Sequence, residues 1–163
     1  MPVALEITPA TLDDAGTLRA LLAEVSEWLI GCGLRQWPAE FPDEWFVPAL
    51  EAGHTWLARR DRELVATITL QWDDEVVWGT RPSDAGYVHR LAVRRTAAAA
   101  GVGRELLEWA AEEVRAAGRT HVRLDCWREN PGLRSYYEAA GFEHRGDAEE
   151  WGWPVSRYER PVL

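Results

Sequence analysis

Apolar residues in the N-terminal part of the chain recur with helical spacing: Leu18, Leu21, Leu22, Val25, Trp28 and Leu29 fall on one face. Thr11 followed by Asp14 supplies a capping-box-like entry to that helix, and residues 4–8 before it read as a short strand. The segment GCGLRQWPAEFPDEW mixes Gly and Pro with Trp37, Phe41 and Trp45, an apolar loop leading to a second short helix that ends near Gly53. From His54 to Trp72 the pattern changes. HTWLARR and ELVATITLQW are rich in β-branched and aromatic residues and are joined by the polar DRE, which predicts a hairpin. DDEVVWGTRPSDAG reads as turn-rich and exposed, and YVHRLAV as a further strand. Leu106, Leu107, Ala110, Val114 and Ala117 then follow helical spacing, with Gly118 as the stop. HVRLDCW is a strand, NPGLRSYYEAAG a helix and FEHRG a strand, and SRYERPV is a last strand after the WGWP loop.

Helices and strands thus alternate only in the second half, after a hairpin-rich first half. This predicts an α/β fold with a mixed sheet whose parallel neighbours are YVHRLAV and HVRLDCW. A length of 163 residues with 47% hydrophobic content fits one core, so a single domain over 1–163 is expected. The net charge of −9 argues against nucleic-acid and membrane partners, which reward basic patches, and favours a cationic or amine-bearing small molecule. Two cysteines without metal-type spacing, no basic leader and no long apolar run predict a cytoplasmic protein with free thiols and no metal site. Ten tryptophans are too many to hide in so small a core, so some should line a cleft.

One turn could carry chemistry. Gly101-Val102-Gly103 follows a strand and opens a helix whose first N–H groups have no intrahelical partner, a seat for an anion such as a pyrophosphate. Tight packing of helix on strand would use the same two glycines. Neither a P-loop Gly-Lys-Ser/Thr nor a third glycine at dinucleotide spacing is present.

With its surroundings, the stretch from Leu91-Ala92-Val93 to Ala98, Ala99, Ala100, Gly101, Val102, Gly103 and Arg104 resembles motif A of the GNAT N-acetyltransferase superfamily. Ala98 stands where the family carries Arg or Gln. Ala99 stands at a usual glycine, where a left-handed conformation would cost about 1–2 kcal/mol. Arg94, Arg95 or Arg104 could replace the missing side-chain charge. The second helix, from Asn130 through Leu133 and Tyr137 to Gly141-Phe142, resembles motif B of the same family. The resemblance implies acetyl-CoA as co-substrate, its pyrophosphate on the helix start, its pantetheine arm paired with Leu91, Ala92 and Val93 as an added strand, and Asn130 against that arm. It also implies Tyr137 beside the sulfur, protonating the thiolate or hydrogen-bonding it, while Tyr136 packs. The fold implied is a GNAT fold with six or seven mostly antiparallel strands, a splayed parallel pair and about four helices.

An amine must lose a proton before it attacks a thioester. His89, on the same strand face as Tyr87 and Leu91, is the first choice of base, beside the alternative of a structural histidine within the sheet. Asp73, Asp74 and Glu75 could bind a cationic amine or relay its proton, or form a solvated turn. Asp125 is expected to pair with an arginine, and Cys126 has no nucleophilic role. Trp37, Trp72, Trp127 and Trp151, with Asp73, are expected to wall the acceptor pocket. The expected activity is acetyl transfer from acetyl-CoA to a small-molecule or peptide amine in a ternary complex, with homodimers common among similar proteins. The alternative is a catalytically silent acyl-CoA-binding regulatory module.

Overall fold

Asp14 Oδ2 accepts a hydrogen bond from the Thr11 N–H at 2.8 Å, closing the entry that their spacing announces, and helix α1 runs from Ala15–Gly31. In the computed structural model, which describes residues 3–163 apart from the side chain of Ala99, the chain forms seven strands. These are β1 (Glu6–Pro9), β2 (Thr55–Arg60), β3 (Glu63–Gln71), β4 (Ala85–Val93), β5 (His121–Trp127), β6 (Glu143–Glu150) and β7 (Trp153–Pro161). Further helices are α2 (Val47–Glu51), α3 (Glu75–Trp78), α4 (Val102–Ala116) and α5 (Pro131–Ala139). The strands are ordered β1-β2-β3-β4-β5-β7-β6. β4 and β5 run parallel, whereas β1/β2, β2/β3, β5/β7 and β6/β7 are antiparallel. Five helices therefore stand against about four expected; α2 and α3 are too short for a 3.6-residue period to show.

Contacts divide the chain into two units, with β4 and α4 contributing to both. The first holds residues up to Leu70 and Arg90–Leu107. Its core packs Leu18, Leu21, Leu22 and Val25 of α1 against Phe41, Phe46, Leu50, Leu57 and Ala92. Trp28 lies on the predicted apolar face of α1 but is exposed, and the Arg95 guanidinium covers its ring at 3.5 Å. The β2–β3 hairpin turns on Asp61 and Arg62, both at positive φ (51° and 69°), the sense that matches strand twist.

The second unit holds Gln71–His89 and Glu108–Leu163. Here one expectation fails. The stretch read as an exposed turn contains α3, whose Val77 and Trp78 are buried with Ala85, Tyr87 and Val155. What holds that turn is Arg123, only 4% exposed, which bonds Asp84 at 2.9 Å, Glu159 at 2.7 Å and the Tyr87 hydroxyl at 3.0 Å. Its guanidinium also lies 5.4 Å from the Trp78 ring. Burial opposes the charge on Arg123, but its bonds to Asp84, Glu159 and Tyr87 raise its pKa. The β6–β7 hairpin is longer than FEHRG suggests, because the acidic run at its end pairs with β7 as an exposed strand. Among the described residues no helix is long and apolar enough to cross a membrane.

Candidate active site

The start of α4 answers the question its glycines raise. Residues Arg95–Ala100 form a 3-10 turn, Gly101 follows at φ 75°, and α4 begins at Val102. The left-handed residue is thus Gly101, while Ala98, Ala99 and Ala100 belong to the helical turn before it. A Cβ at Gly101 would meet no atom within 4 Å, so this glycine serves backbone conformation rather than close packing. The first helical bond is from Glu105 N–H to Gly101 C=O at 3.1 Å, so the first-turn amides of α4 point back toward this glycine turn. Such a donor set suits a diphosphate. Two of the arginines considered as substitutes for the missing charge are engaged elsewhere: Arg94 Nε lies 3.7 Å from Glu24, and Arg95 stacks on Trp28. On β4, Ala92 enters the core, with Leu91 and Val93 partly buried beside it. Arg90 just before them has φ 47°, a left-handed residue that interrupts a regular ladder.

The second unit carries the titratable cluster. The parallel register of β4 with β5 covers Ala85↔His121, Gly86↔Val122 and Tyr87↔Arg123, while β5 continues to Trp127 along β7. Beyond that register His89 Nε2 lies 3.4 Å from Asp74 Oδ2. Ligand-type atoms of Asp74, His89 and Asp125 all fall within 4.8 Å of one another. Asp74 reaches this position because it caps α3: its Oδ1 accepts the Val77 N–H at 3.2 Å. Its side chain is only 8% exposed, and burial pushes its carboxyl above the ordinary range, with Asp73 adding and the Val77 bond opposing. Asp125 is pushed well up, by burial first and then by the charges of Glu150 and Asp74. Asp74 is therefore not a solvated turn residue, and among the described residues no arginine pairs with Asp125; the nearby Arg123 is spent on Asp84 and Glu159.

Tyr137 is 6% exposed, its ring against Phe142 at 5.8 Å, Tyr136 at 5.6 Å and Tyr158 at 6.3 Å. Burial raises its phenol, with Cys126, Tyr136 and Asp125 adding to the shift. Asp125 thus acts electrostatically on Tyr137 and also belongs to the cluster around His89. Tyr136, expected to pack, is the more open ring at 36%. Asn130 is buried and caps α5 by accepting the Leu133 N–H at 3.1 Å. Cys126 is buried, its thiol pushed up to about 12 mainly by burial, which removes it as a nucleophile.

The tryptophans separate. Trp72 and Asp73 line a cleft with Asp74, Arg81, Ser83 and Tyr87, and the Arg119 guanidinium lies 5.0 Å from the Trp72 ring. Trp127 ends β5, partly buried beside Val155. Trp37 packs on the first unit's core, edge-on to Phe41 at 5.4 Å. Trp151 is 82% exposed in the β6–β7 turn at φ 51° and is not one of the residues lining the Trp72 cleft. Glu150 escapes a sequence reading because its charge reaches Asp125 only through the folding of β6 onto β7; the signal in the sequence is its place in an acidic run.

The profile of the Acetyltransferase (GNAT) family matches residues 22–142. An uncharacterized N-acetyltransferase, YesJ, of Bacillus subtilis (strain 168) is 33% identical over 147 residues, covering 85% of this chain and 81% of that protein. A GNAT-family acetyltransferase structure from Listeria monocytogenes 4b F2365 superposes with a TM-score of 0.81 at 20% identity, over 97% of this chain and 95% of that one. The N-acetylglutamate synthase of Neisseria gonorrhoeae, solved with coenzyme A and N-acetyl-glutamate, gives 0.73 at 17% identity, over 100% of this chain and 36% of that one.

Proposed function

From the premise that this chain belongs to the GNAT acetyltransferase family, we propose that it transfers an acetyl group from acetyl-CoA directly to a primary amine. The observation that supports this reading most is the convergence of His89, Asp74 and Asp125, with the phenol of Tyr137 under the influence of the same Asp125. In this reading the amides of Val102, Gly103 and Arg104 hold the diphosphate, and the backbone of Leu91, Ala92 and Val93 holds the amide-bearing arm. His89 takes a proton from the amine, whose nitrogen attacks the thioester carbonyl; the C–N bond forms as the C–S bond breaks. Asp74 steadies the imidazolium that results. Tyr137 donates a hydrogen bond to the departing sulfur. Because burial lifts the phenol away from the thiol range, hydrogen bonding is favoured over full proton transfer. Trp72 and Asp73 receive the acceptor's remaining part in their cleft.

The test is release of free CoA thiol from acetyl-CoA over a panel of amines. An enzyme shows amine-dependent release, and Tyr137→Phe, which keeps the packed ring, lowers kcat about 10–100-fold with little change in melting temperature. Acetyl-CoA binding without amine-dependent release would instead identify a silent acyl-CoA-binding module and overturn the proposal.

A further inference from the structure

Two carboxylates and an imidazole converge in the second unit, and among the described residues no arginine pairs with either carboxylate. Asp74 divides its work: Oδ1 caps α3, while Oδ2 is buried without a hydrogen bond, 3.4 Å from His89 Nε2. Glu150, from β6, adds a third negative charge that acts on Asp125. Such a group of partly buried acids, one of them with an unbonded oxygen out of water, calls for a cation.

The acceptor's own chemistry says which kind. A primary ammonium directs three N–H groups tetrahedrally, and bonds of about 2.8 Å place their acceptors about 4.6 Å apart. The three groups here lie within 4.8 Å of one another, and the His89–Asp74 pair, now at 3.4 Å, would open by about 1 Å around the nitrogen. A transition metal at about 2.0–2.2 Å would hold its ligands roughly 3.3–3.6 Å apart, a separation that pair already meets, so Zn²⁺ is the competing occupant in the test.

We propose that Asp74, Asp125 and His89 form a three-point cradle for the acceptor's own ammonium group, and that the cradle selects basic primary alkylamines with no carboxylate next to the nitrogen. This rests on the acetyl-transfer reading. An α-carboxylate would be carried in beside Asp74, Asp125 and Glu150 and repelled; an arylamine, neutral near pH 7, brings no charge; a secondary amine lacks a free N–H for the third contact. Once seated, the ammonium gives one proton to His89 Nε2 and keeps its other two N–H bonds to the carboxylates. The freed lone pair forms the C–N bond as the C–S pair leaves with sulfur; the nitrogen then gives up a second proton, which ends on the thiolate as free CoA thiol, so the amide keeps one N–H, and His89 returns its proton to solvent.

The experiment uses the full chain and three probes: n-pentylamine, 2-aminohexanoic acid, which has the same carbon chain plus an α-carboxylate, and aniline. Binding is read by calorimetry and NMR in the absence of acetyl-CoA, and turnover by thiol release in its presence. We expect n-pentylamine to bind and turn over at least 10-fold better than the other two, with Asp125→Asn and Asp74→Asn each removing most of that preference while the fold, checked by circular dichroism, persists. Equal use of the amino acid, or a preference unchanged in both variants, would overturn the cradle, as would tight Zn²⁺ binding that n-pentylamine does not displace. Alkylammonium binding that depends on Asp125 without any acetyl transfer would sustain the cradle and refute the transfer reading, so the two fail separately.

Discussion

The Nε2 atom of His89 stands 3.4 Å from Oδ2 of Asp74, joining a β4 residue to the cap of α3. One carboxylate therefore serves two purposes, and substitutions can separate them. Asp74→Asn keeps an oxygen for the Val77 N–H but loses the charge beside His89; Asp74→Ala loses both. We expect both variants to lower kcat/KM about 10–100-fold. Only the alanine variant should also lose about 1 kcal/mol of stability, the ordinary worth of an N-cap. Denaturant unfolding beside steady-state kinetics checks this; equal stability losses would show that the cap does not depend on the side-chain oxygen.

The upward shift of Asp125 carries a stability consequence. Its folded-state pKa lies above the unfolded value near 3.8, so between the two values the native state binds more protons and stability falls as pH rises. Asp74, Glu150 and His89, with the Cys126 thiol and the Tyr137 phenol, are charged or titratable groups coupled to it. Asp125→Asn removes the cost of an ionised, partly buried carboxylate. Its melting temperature at pH 7 should exceed that of the parent by about 2–4 °C, corresponding to about 1 kcal/mol, and the gap should close as the pH falls toward 4. A variant less stable than the parent at pH 7 would contradict the placement of Asp125 among like charges.

What the sequence disclosed and what it hid follow from range. HVRLDCW is β5 residue for residue, and the helix from Asn130 to its glycine stop is capped as its punctuation predicts, because alternation, Asn-Pro and Gly act locally. The seven-stranded mixed sheet and the likeness that led to it were legible from the two motifs together. The burial of Trp78 and the fate of Asp125 were not. Both depend on Arg123 choosing Asp84 and Glu159 as partners, and those residues are 39 and 36 positions away along the chain. The role of Asp74 was half visible: its acidic run was noted, but only a four-residue helix turns its carboxylate from water toward His89.

The Arg123 cluster makes its own prediction. Glu159 is pushed up by burial, yet the bond and charge of Arg123 bring it below its ordinary range; Asp84 is lowered first by the Arg123 bond. Carboxylates depressed in the native state give stability that is present above their unfolded values and is lost as pH falls through the folded ones. The parent protein should therefore lose stability steeply below about pH 4. Arg123→Met should cost about 3–5 kcal/mol at pH 7 by leaving Glu159 half-buried without its cation, and should flatten the acid limb of the pH profile. Melting curves from pH 3 to 7 read both. Were Arg123→Met as stable as the parent, the cluster would be ornament rather than support for Trp78 and Tyr87.

Gly101 offers the sharpest separation of backbone from side chain. At φ 75° with no atom within 4 Å of a would-be Cβ, any substitution there pays conformational strain and nothing for crowding. The stability order should be Gly, then Asn, then Ala, then Val: asparagine tolerates the left-handed region, alanine pays about 1–2 kcal/mol, and a β-branched chain pays more. If the amides of Val102, Gly103 and Arg104 are the diphosphate donors, Gly101→Asn should retain CoA binding within about 3-fold, because the backbone that aims them is kept. Gly101→Val should weaken CoA binding at least 10-fold as the turn shifts. Calorimetric titration with CoA at two salt concentrations tests this, since anion binding at a helix start weakens with ionic strength. CoA affinity that ignores both the Gly101 series and the salt would place the diphosphate away from the start of α4.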